Sequence, residues 1–115
     1  MFRDPFVYKT IKEKVLPRLH SYPYIKIWHA GCATGEEVYA LAILLHEEGL
    51  LERSIIYATD FNNKALHQAE KGIYPLKKIQ SYTQNYQESG GSSSFSDYYH
   101  ARYNNAVMND VLRKQ

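Results

Sequence analysis

Tyr24-Ile25-Lys26-Ile27-Trp28-His29-Ala30-Gly31-Cys32-Ala33-Thr34-Gly35-Glu36-Glu37 is the stretch on which the fold turns. Tyr24 to Trp28 is rich in β-branched and aromatic residues and follows the Ser21-Tyr22-Pro23 turn, so it predicts a strand. That strand runs straight into a loop bearing Gly31 and Gly35. Glu36 to about Glu48 then collects strong helix formers, with acidic residues in the first turn facing the positive end of the helix dipole and Gly49 as the stop. The nearly uninterrupted apolar run from Val38 to Leu45 makes this a buried helix. Ser54 to Thr59 reads as a second strand, and Asp60 sits just beyond its end. Asn62 is placed to cap a helix from Asn63 to about Lys71, which Gly72 closes. The resulting unit is βαβα.

Before this unit, Val7, Ile11 and Val15 recur every fourth residue among lysines and a glutamate. Asp4 to about Leu16 therefore reads as an amphipathic helix capped by Asp4, with Pro5 at its first position. After it, Tyr74-Pro75-Leu76 opens a further helical stretch with Leu76, Ile79 and Tyr82 at helical spacing, and Lys77-Lys78 reads as its solvated face. Ser89-Gly90-Gly91-Ser92-Ser93-Ser94 reads as a short flexible loop. Beyond it a β-hairpin is expected from about Tyr98 to Leu112 around Asn104-Asn105, although Asn109-Asp110 also permits a short helix. The fold class is α/β: an N-terminal helix and a βαβα unit of a partial Rossmann-like fold over residues 1–86, then a loop and small β-hairpin subdomain over 87–115. Two parallel strands leave an open edge and an uncovered sheet face, so the chain reads as part of a larger sheet completed by more polypeptide or by another chain. Open edges also make a homo-oligomer an expectation.

Composition narrows the function. A chain of 115 residues is one domain's worth at roughly 100 to 200 residues per domain, and 44% hydrophobic with 23% charged residues is a globular balance. Fourteen Lys and Arg against 12 Asp and Glu leave a net charge of +2, short of the basic face that nonspecific nucleic-acid binding uses. Eleven tyrosines include Tyr98, Tyr99 and Tyr103 near Arg102; without a basic stripe they read as hairpin and interface cover rather than a nucleic-acid stacking platform. The single cysteine, Cys32, allows neither an internal disulfide nor a cysteine-based zinc site and fits a reducing, cytoplasmic setting. In the glycine loop it reads as a small residue where bulk is forbidden, or as a thiol with a pKa depressed by the helix N-terminus. His20, His29, His46, His67 and His100 show no metal-ligand spacing. No signal-peptide pattern opens the sequence, and the longest apolar stretch is about half the ~18 residues of a spanning helix, so neither secretion nor membrane insertion is expected.

The chemistry lies where strand, glycine loop, helix, strand and acid meet. Glycines let a ligand approach the backbone, and the next helix presents free amides, a setting for a nucleotide-like cofactor. Gly31 to Gly35 is not the G-x-G-x-x-G fingerprint, and a lone G-x-x-x-G in a βα turn is weak evidence. Asp60, beyond the next strand, adds weight because an acid there can accept hydrogen bonds from a ribose diol. Glu36 and Glu37 serve the helix dipole on position alone. Beside the loop, however, a carboxylate repels a pyrophosphate and attracts a cationic amino group, which disfavours NAD and favours S-adenosylmethionine.

Phe2-Arg3-Asp4, Ile27-Trp28-His29-Ala30-Gly31-Cys32-Ala33-Thr34-Gly35-Glu36-Glu37-Val38-Tyr39, Tyr57-Ala58-Thr59-Asp60-Phe61-Asn62 and Gly72-Ile73-Tyr74-Pro75 closely resemble, in order and spacing, the CheR-type chemotaxis receptor methyltransferases. Ser94-Phe95-Ser96-Asp97-Tyr98-Tyr99 with Ala101-Arg102-Tyr103 resembles the family's next stretch. The resemblance implies a methyltransferase fold and methyl transfer from S-adenosylmethionine to glutamates on the helical cytoplasmic region of chemoreceptors, leaving S-adenosylhomocysteine. It implies Ala30 and Gly31 against the methionine part with Thr34 in the same loop, Glu37 on the amino group, Asp60 on the ribose hydroxyls and Phe61 on adenine. Arg3 matches an arginine near the methyl donor and is the implied catalytic residue. The resemblance further implies that the hairpin would correspond to the family's small β-subdomain, which helps some members dock the receptor. The family pattern also extends past both ends of this sequence, so more than half of a complete enzyme is expected outside it. Two other readings stand beside this one: a noncatalytic interaction module that keeps the docking surface, and a nicotinamide-dependent oxidoreductase fragment.

Overall fold

The computed structural model describes residues 1–109 and Leu112. A helical run opens the chain as α1 (Pro5–Thr10), a π-helical turn over Ile11–Val15 and α2 (Leu16–Leu19). The π turn has a local cause. Pro17 has no N–H to give and its ring crowds the carbonyl four residues back, and the run absorbs this with a wider turn in which Leu16 N–H donates to the Ile11 carbonyl. The extra residue shifts the helical phase. Val15, expected on the inner face, is exposed and Leu16 and Leu19 take its place beside Tyr8 and Ile11 against the core; Val7, which precedes the wide turn, is exposed as well. Asp4 also departs from expectation: its side chain makes no cap, and its carbonyl accepts the Val7 N–H at 2.9 Å instead.

β1 (Ile25–Ala30), α3 (Glu36–Glu47), β2 (Ser54–Thr59) and α4 (Asn63–Lys71) follow. β1 and β2 pair in parallel, with Ile25 opposite Ser54 and Ala30 opposite Thr59. α3 buries Tyr39, Ala40, Ala42, Ile43, Leu44 and Leu45 against the sheet and the N-terminal run, each large aliphatic side chain contributing roughly 1.5–3 kcal/mol. Strand alternation sends Ile25 and Ile56 to this core and leaves the register partners Trp28 and Tyr57, with Ile55, on an exposed opposite face. Asn62 caps α4 by accepting the Lys64 and Ala65 amides, and Gly72 ends it at φ 63°.

A strand unforeseen in the sequence comes next. β3 (Ile73–Pro75) precedes a short 3₁₀ turn and α5 (Ile79–Glu88), and it pairs with β5 (Asn105–Met108), which pairs in turn with β4 (Tyr99–Arg102). All pairs in this three-stranded sheet are antiparallel, and Pro75 sits on an edge strand, where its missing N–H costs no ladder bond. The turn between β4 and β5 falls on Tyr103-Asn104, one residue before the expected Asn104-Asn105, with Tyr103 at φ 57°. Part of the expected hairpin span, residues 110 and 111, lies outside the described residues.

The serine-glycine segment is not a free linker. Ser92 gives its N–H and hydroxyl to Glu47 at 3.0 Å each, Ser93 N–H donates to the Tyr86 hydroxyl at 2.8 Å, and Ser94 forms a capping box with Asp97. A Cβ on Gly91 would stand 2.2 Å from the Tyr86 ring, so glycine is what lets the segment close on that tyrosine. The tyrosines are likewise less superficial than expected. Tyr98 is buried and Tyr99 half-buried against Phe95, while Tyr103 stays exposed. Phe2, Tyr8, Tyr86, Phe95 and Tyr98 form a chain of tilted and edge-on ring contacts with centroids 5.0–6.1 Å apart.

Candidate functional site

The site lies at the carboxyl ends of β1 and β2. Cys32 N–H donates to the Thr59 carbonyl at 2.9 Å, so the loop leaving β1 is tied to the end of β2. Gly31, Ala33 and Gly35 all have positive φ, at 67°, 49° and 94°, which curls the loop tightly into α3. Their surroundings differ. A Cβ on Gly35 would lie 2.6 Å from Ala69 Cβ, so this glycine brings α3 against α4, whereas the Cβ direction of Gly31 is open. Open space next to backbone is what close approach of a ligand requires.

Asp60 holds the loop's shape. Its carboxylate accepts Asn62 N–H and Ala33 N–H, each at 2.9 Å, joining the glycine loop to the N-terminus of α4. These backbone donors hold the Asp60 carboxyl below its usual range. Glu37 is equally engaged: Oε1 accepts the Arg3 N–H at 3.0 Å, and Oε2 accepts the Tyr8 hydroxyl. Glu36 accepts the Thr34 hydroxyl, and the Thr34 carbonyl accepts the Tyr74 hydroxyl at 2.7 Å. Burial, and then the Asp60 charge, push the Cys32 thiol up, which removes the low-pKa reading and leaves the small buried residue.

Arg3, Gly31, Thr34 and Glu37 line one cavity of about 420 Å³, together with Glu36 and His29. Ala30, Asp60 and Phe61 are not part of its lining. Ala30 is exposed at the end of β1, Asp60 lies on the Ala33 side of the loop, and the Phe61 ring is fully exposed beside it. The far wall was not foreseen: Lys78, Ser81, Tyr82 and Asn85 line it from α5 and the turn before it. Their spacing of three, one and three residues is one helix face, a signal present in the sequence but not polar or apolar enough to stand out. Lys78, expected first of all on a solvated face, is exposed and also lines the cavity. Tyr8 was missed as well, being read only as part of an amphipathic helix. Among the described residues, no three His, Cys, Asp or Glu side chains are grouped to hold a metal, and no helix is long and apolar enough to cross a membrane.

A parallel βαβ unit with a glycine loop, an acid beyond the second strand and carboxylates opening the crossover helix defines an α/β domain with a candidate ligand site at its strand ends. Residues 1–111 match the family described as CheR methyltransferase, SAM binding domain, and the chain belongs to that family. It is 52% identical to Cher3 of Pseudomonas putida over 98% of its own length and 41% of that protein. It is 34% identical to a chemotaxis protein methyltransferase of Borreliella burgdorferi, over 68% of this chain and 31% of that protein. To chemotaxis protein methyltransferase 1 of Pseudomonas aeruginosa it is 33% identical, over 64% of this chain and 30% of that protein. The chain thus spans less than half the length of these relatives.

Proposed function

We propose that this chain is the cofactor-binding portion of an S-adenosylmethionine-dependent protein-glutamate O-methyltransferase acting on chemoreceptors in the cytoplasm. Family membership supports the reading, and one observation carries it to these residues: Arg3, Gly31, Thr34 and Glu37 share one cavity beside the loop that Asp60 clamps. The residues suit the cofactor. Gly31 leaves the backbone open to a ligand, Glu37 offers an anion to an ammonium group, and each Asp60 oxygen keeps a lone pair beyond the one its backbone donor uses.

Bound here, S-adenosylmethionine would supply a methyl group on a sulfonium, an electrophile whose C–S bond would break as the O–C bond of a receptor glutamate methyl ester formed, with S-adenosylhomocysteine as the other product. A glutamate carboxylate is already ionised near neutral pH, so the chain's residues have no proton to remove. Their work is placement. Ala30 and Gly31 would lie against the methionine part with Thr34 in the same loop, Glu37 would hold its amino group, Asp60 the ribose hydroxyls and Phe61 the adenine, while Arg3 would stand near the transferred methyl. Two carboxylates at the start of α3 disfavour the pyrophosphate of a nicotinamide cofactor. The Rossmann-like completion of the sheet and a receptor-facing hairpin subdomain, with a division into 1–86 and 87–115, belong to the same proposal.

Calorimetric titration of the 115-residue chain with S-adenosylhomocysteine tests it. Saturable binding that Asp60→Ala weakens and NAD fails to displace supports the reading. A folded chain that takes up no S-adenosylhomocysteine, or binding that NAD displaces, refutes it.

A further inference from the structure

We infer that Tyr8 is a positioning residue for cofactor capture, its hydroxyl fixing the Glu37 carboxylate in the orientation that receives the cofactor's amino group. The inference rests on the S-adenosylmethionine reading above and concerns a residue outside every motif that suggested it.

Glu37 carries its carboxylate on three rotatable bonds, and a side chain of that kind left free at the rim of a cavity samples many rotamers. Here it is held from both sides. The Arg3 backbone N–H donates to Oε1 at 3.0 Å, and the Tyr8 hydroxyl, reaching from α1, donates to Oε2 while lying 3.4 Å from the Glu37 carbonyl. Two donors on two different oxygens fix the plane of the carboxylate as well as its position.

Tyr8 is itself held. Its ring meets Phe2 edge-on at 5.0 Å, and Phe2 meets Tyr86 at 5.5 Å, so the hydroxyl is mounted on the aromatic core rather than on a mobile side chain. Burial, then the hydrogen bond to Glu37 and the Glu37 charge, push the phenol far above its ordinary pKa, which keeps it a donor near neutral pH. Each carboxylate oxygen retains a second acceptor site, and Glu37 lines the cavity, where an ammonium with three N–H groups can use what Tyr8 and Arg3 leave. Tyr8 thus meets the ordering cost of Glu37 during folding rather than during binding.

The test compares two ligands in calorimetry: S-adenosylhomocysteine, which has the amino-acid part, and 5′-methylthioadenosine, which keeps the adenosine and sulfur but lacks it. Tyr8→Phe is expected to weaken S-adenosylhomocysteine binding by about 3- to 10-fold, the range for freeing one flexible side chain, and to leave 5′-methylthioadenosine binding unchanged. In a Glu37→Gln background, the same substitution is expected to bring little further loss. Unchanged S-adenosylhomocysteine binding, or equal weakening of both ligands, overturns the inference and leaves the cofactor reading standing. Failure of the unmodified chain to bind S-adenosylhomocysteine overturns the cofactor reading itself, and this inference with it.

Discussion

Glu47 joins three parts of the molecule, and removing its carboxylate is expected to loosen all of them together. From the last turn of α3 it accepts the Tyr98 hydroxyl at 2.6 Å, the Tyr86 hydroxyl, and both the N–H and hydroxyl of Ser92 at 3.0 Å. In Glu47→Ala, Ser92 regains water because it is exposed, but Tyr86 and Tyr98, at 1% and 5% exposure, do not. Two buried hydroxyls losing their acceptor cost about 2–4 kcal/mol together, or a fall in Tm of about 8–20 °C for a domain of this size. Thermal unfolding followed by circular dichroism reads this directly. Glu48→Ala is the control, since its only described ion pair, with Lys12 at 4.0 Å, is a partly exposed one worth about 0–1 kcal/mol. The sign with pH follows from the same bonds. Desolvation pushes the Glu47 carboxyl up, but the Ser92 amide and the three hydroxyls outweigh it and hold the group below its usual value. A depressed folded pKa adds stability that is present above the unfolded value, about pH 4.3, and is lost as pH falls through the folded one. Glu47→Gln should therefore flatten the acid limb of Tm against pH. A Glu47→Ala loss no larger than that of Glu48→Ala would refute the reasoning.

Two further outcomes test the loop. Gly35→Ala meets both a positive φ and a Cβ position 2.6 Å from Ala69 Cβ and 2.9 Å from Ala69 Cα, so urea unfolding should show a loss of about 2–4 kcal/mol; Gly49→Ala, with positive φ but open space, should lose only about 1–2 kcal/mol. Burial first, and the Asp60 charge second, raise the Cys32 thiol, so its alkylation rate should be slow at pH 8 and still climbing beyond pH 9, and Asp60→Asn should speed it at pH 8. An alkylation rate that plateaus near neutral pH would contradict that account of the thiol.

Local chemistry explains which parts of the fold were legible. The βαβα unit could be read because each boundary carries its own signal: Gly49 and Gly72 at positive φ, Asn62 as a side-chain cap, and β-branched strands of period two. What escaped depends on partners distant in sequence. β3 is three residues long and exists because β5, thirty residues on, supplies its ladder. The serine-glycine segment has a linker's composition, yet Glu47 and Tyr86 hold it in place. Beyond Ile11 the inner face of the N-terminal run departs from the periodic reading because one π turn, forced at Pro17, moves the pattern from Val15 to Leu16. In the site, the loop and its acids were visible as a motif, whereas Tyr8 and the α5 wall arrive by packing.

The two carboxylates proposed to meet the cofactor are already engaged within the chain. Asp60 accepts two backbone amides, and Glu37 accepts an amide and a phenol. On the proposed reading, ligand binding would add donors to oxygens whose directions are already set, rather than order free side chains. The same fact determines how their substitutions should be read. Under the proposed assignment Asp60→Ala would remove a ribose acceptor, and it also releases Ala33 N–H from the clamp that shapes the glycine loop, so part of any lost affinity would belong to the loop and not to the missing contact. Weakened binding of 5′-methylthioadenosine, which shares the ribose, cannot separate those parts; an adenosine analogue lacking the 2′- and 3′-hydroxyls can, because any affinity it loses in Asp60→Ala belongs to the released loop and not to a ribose contact.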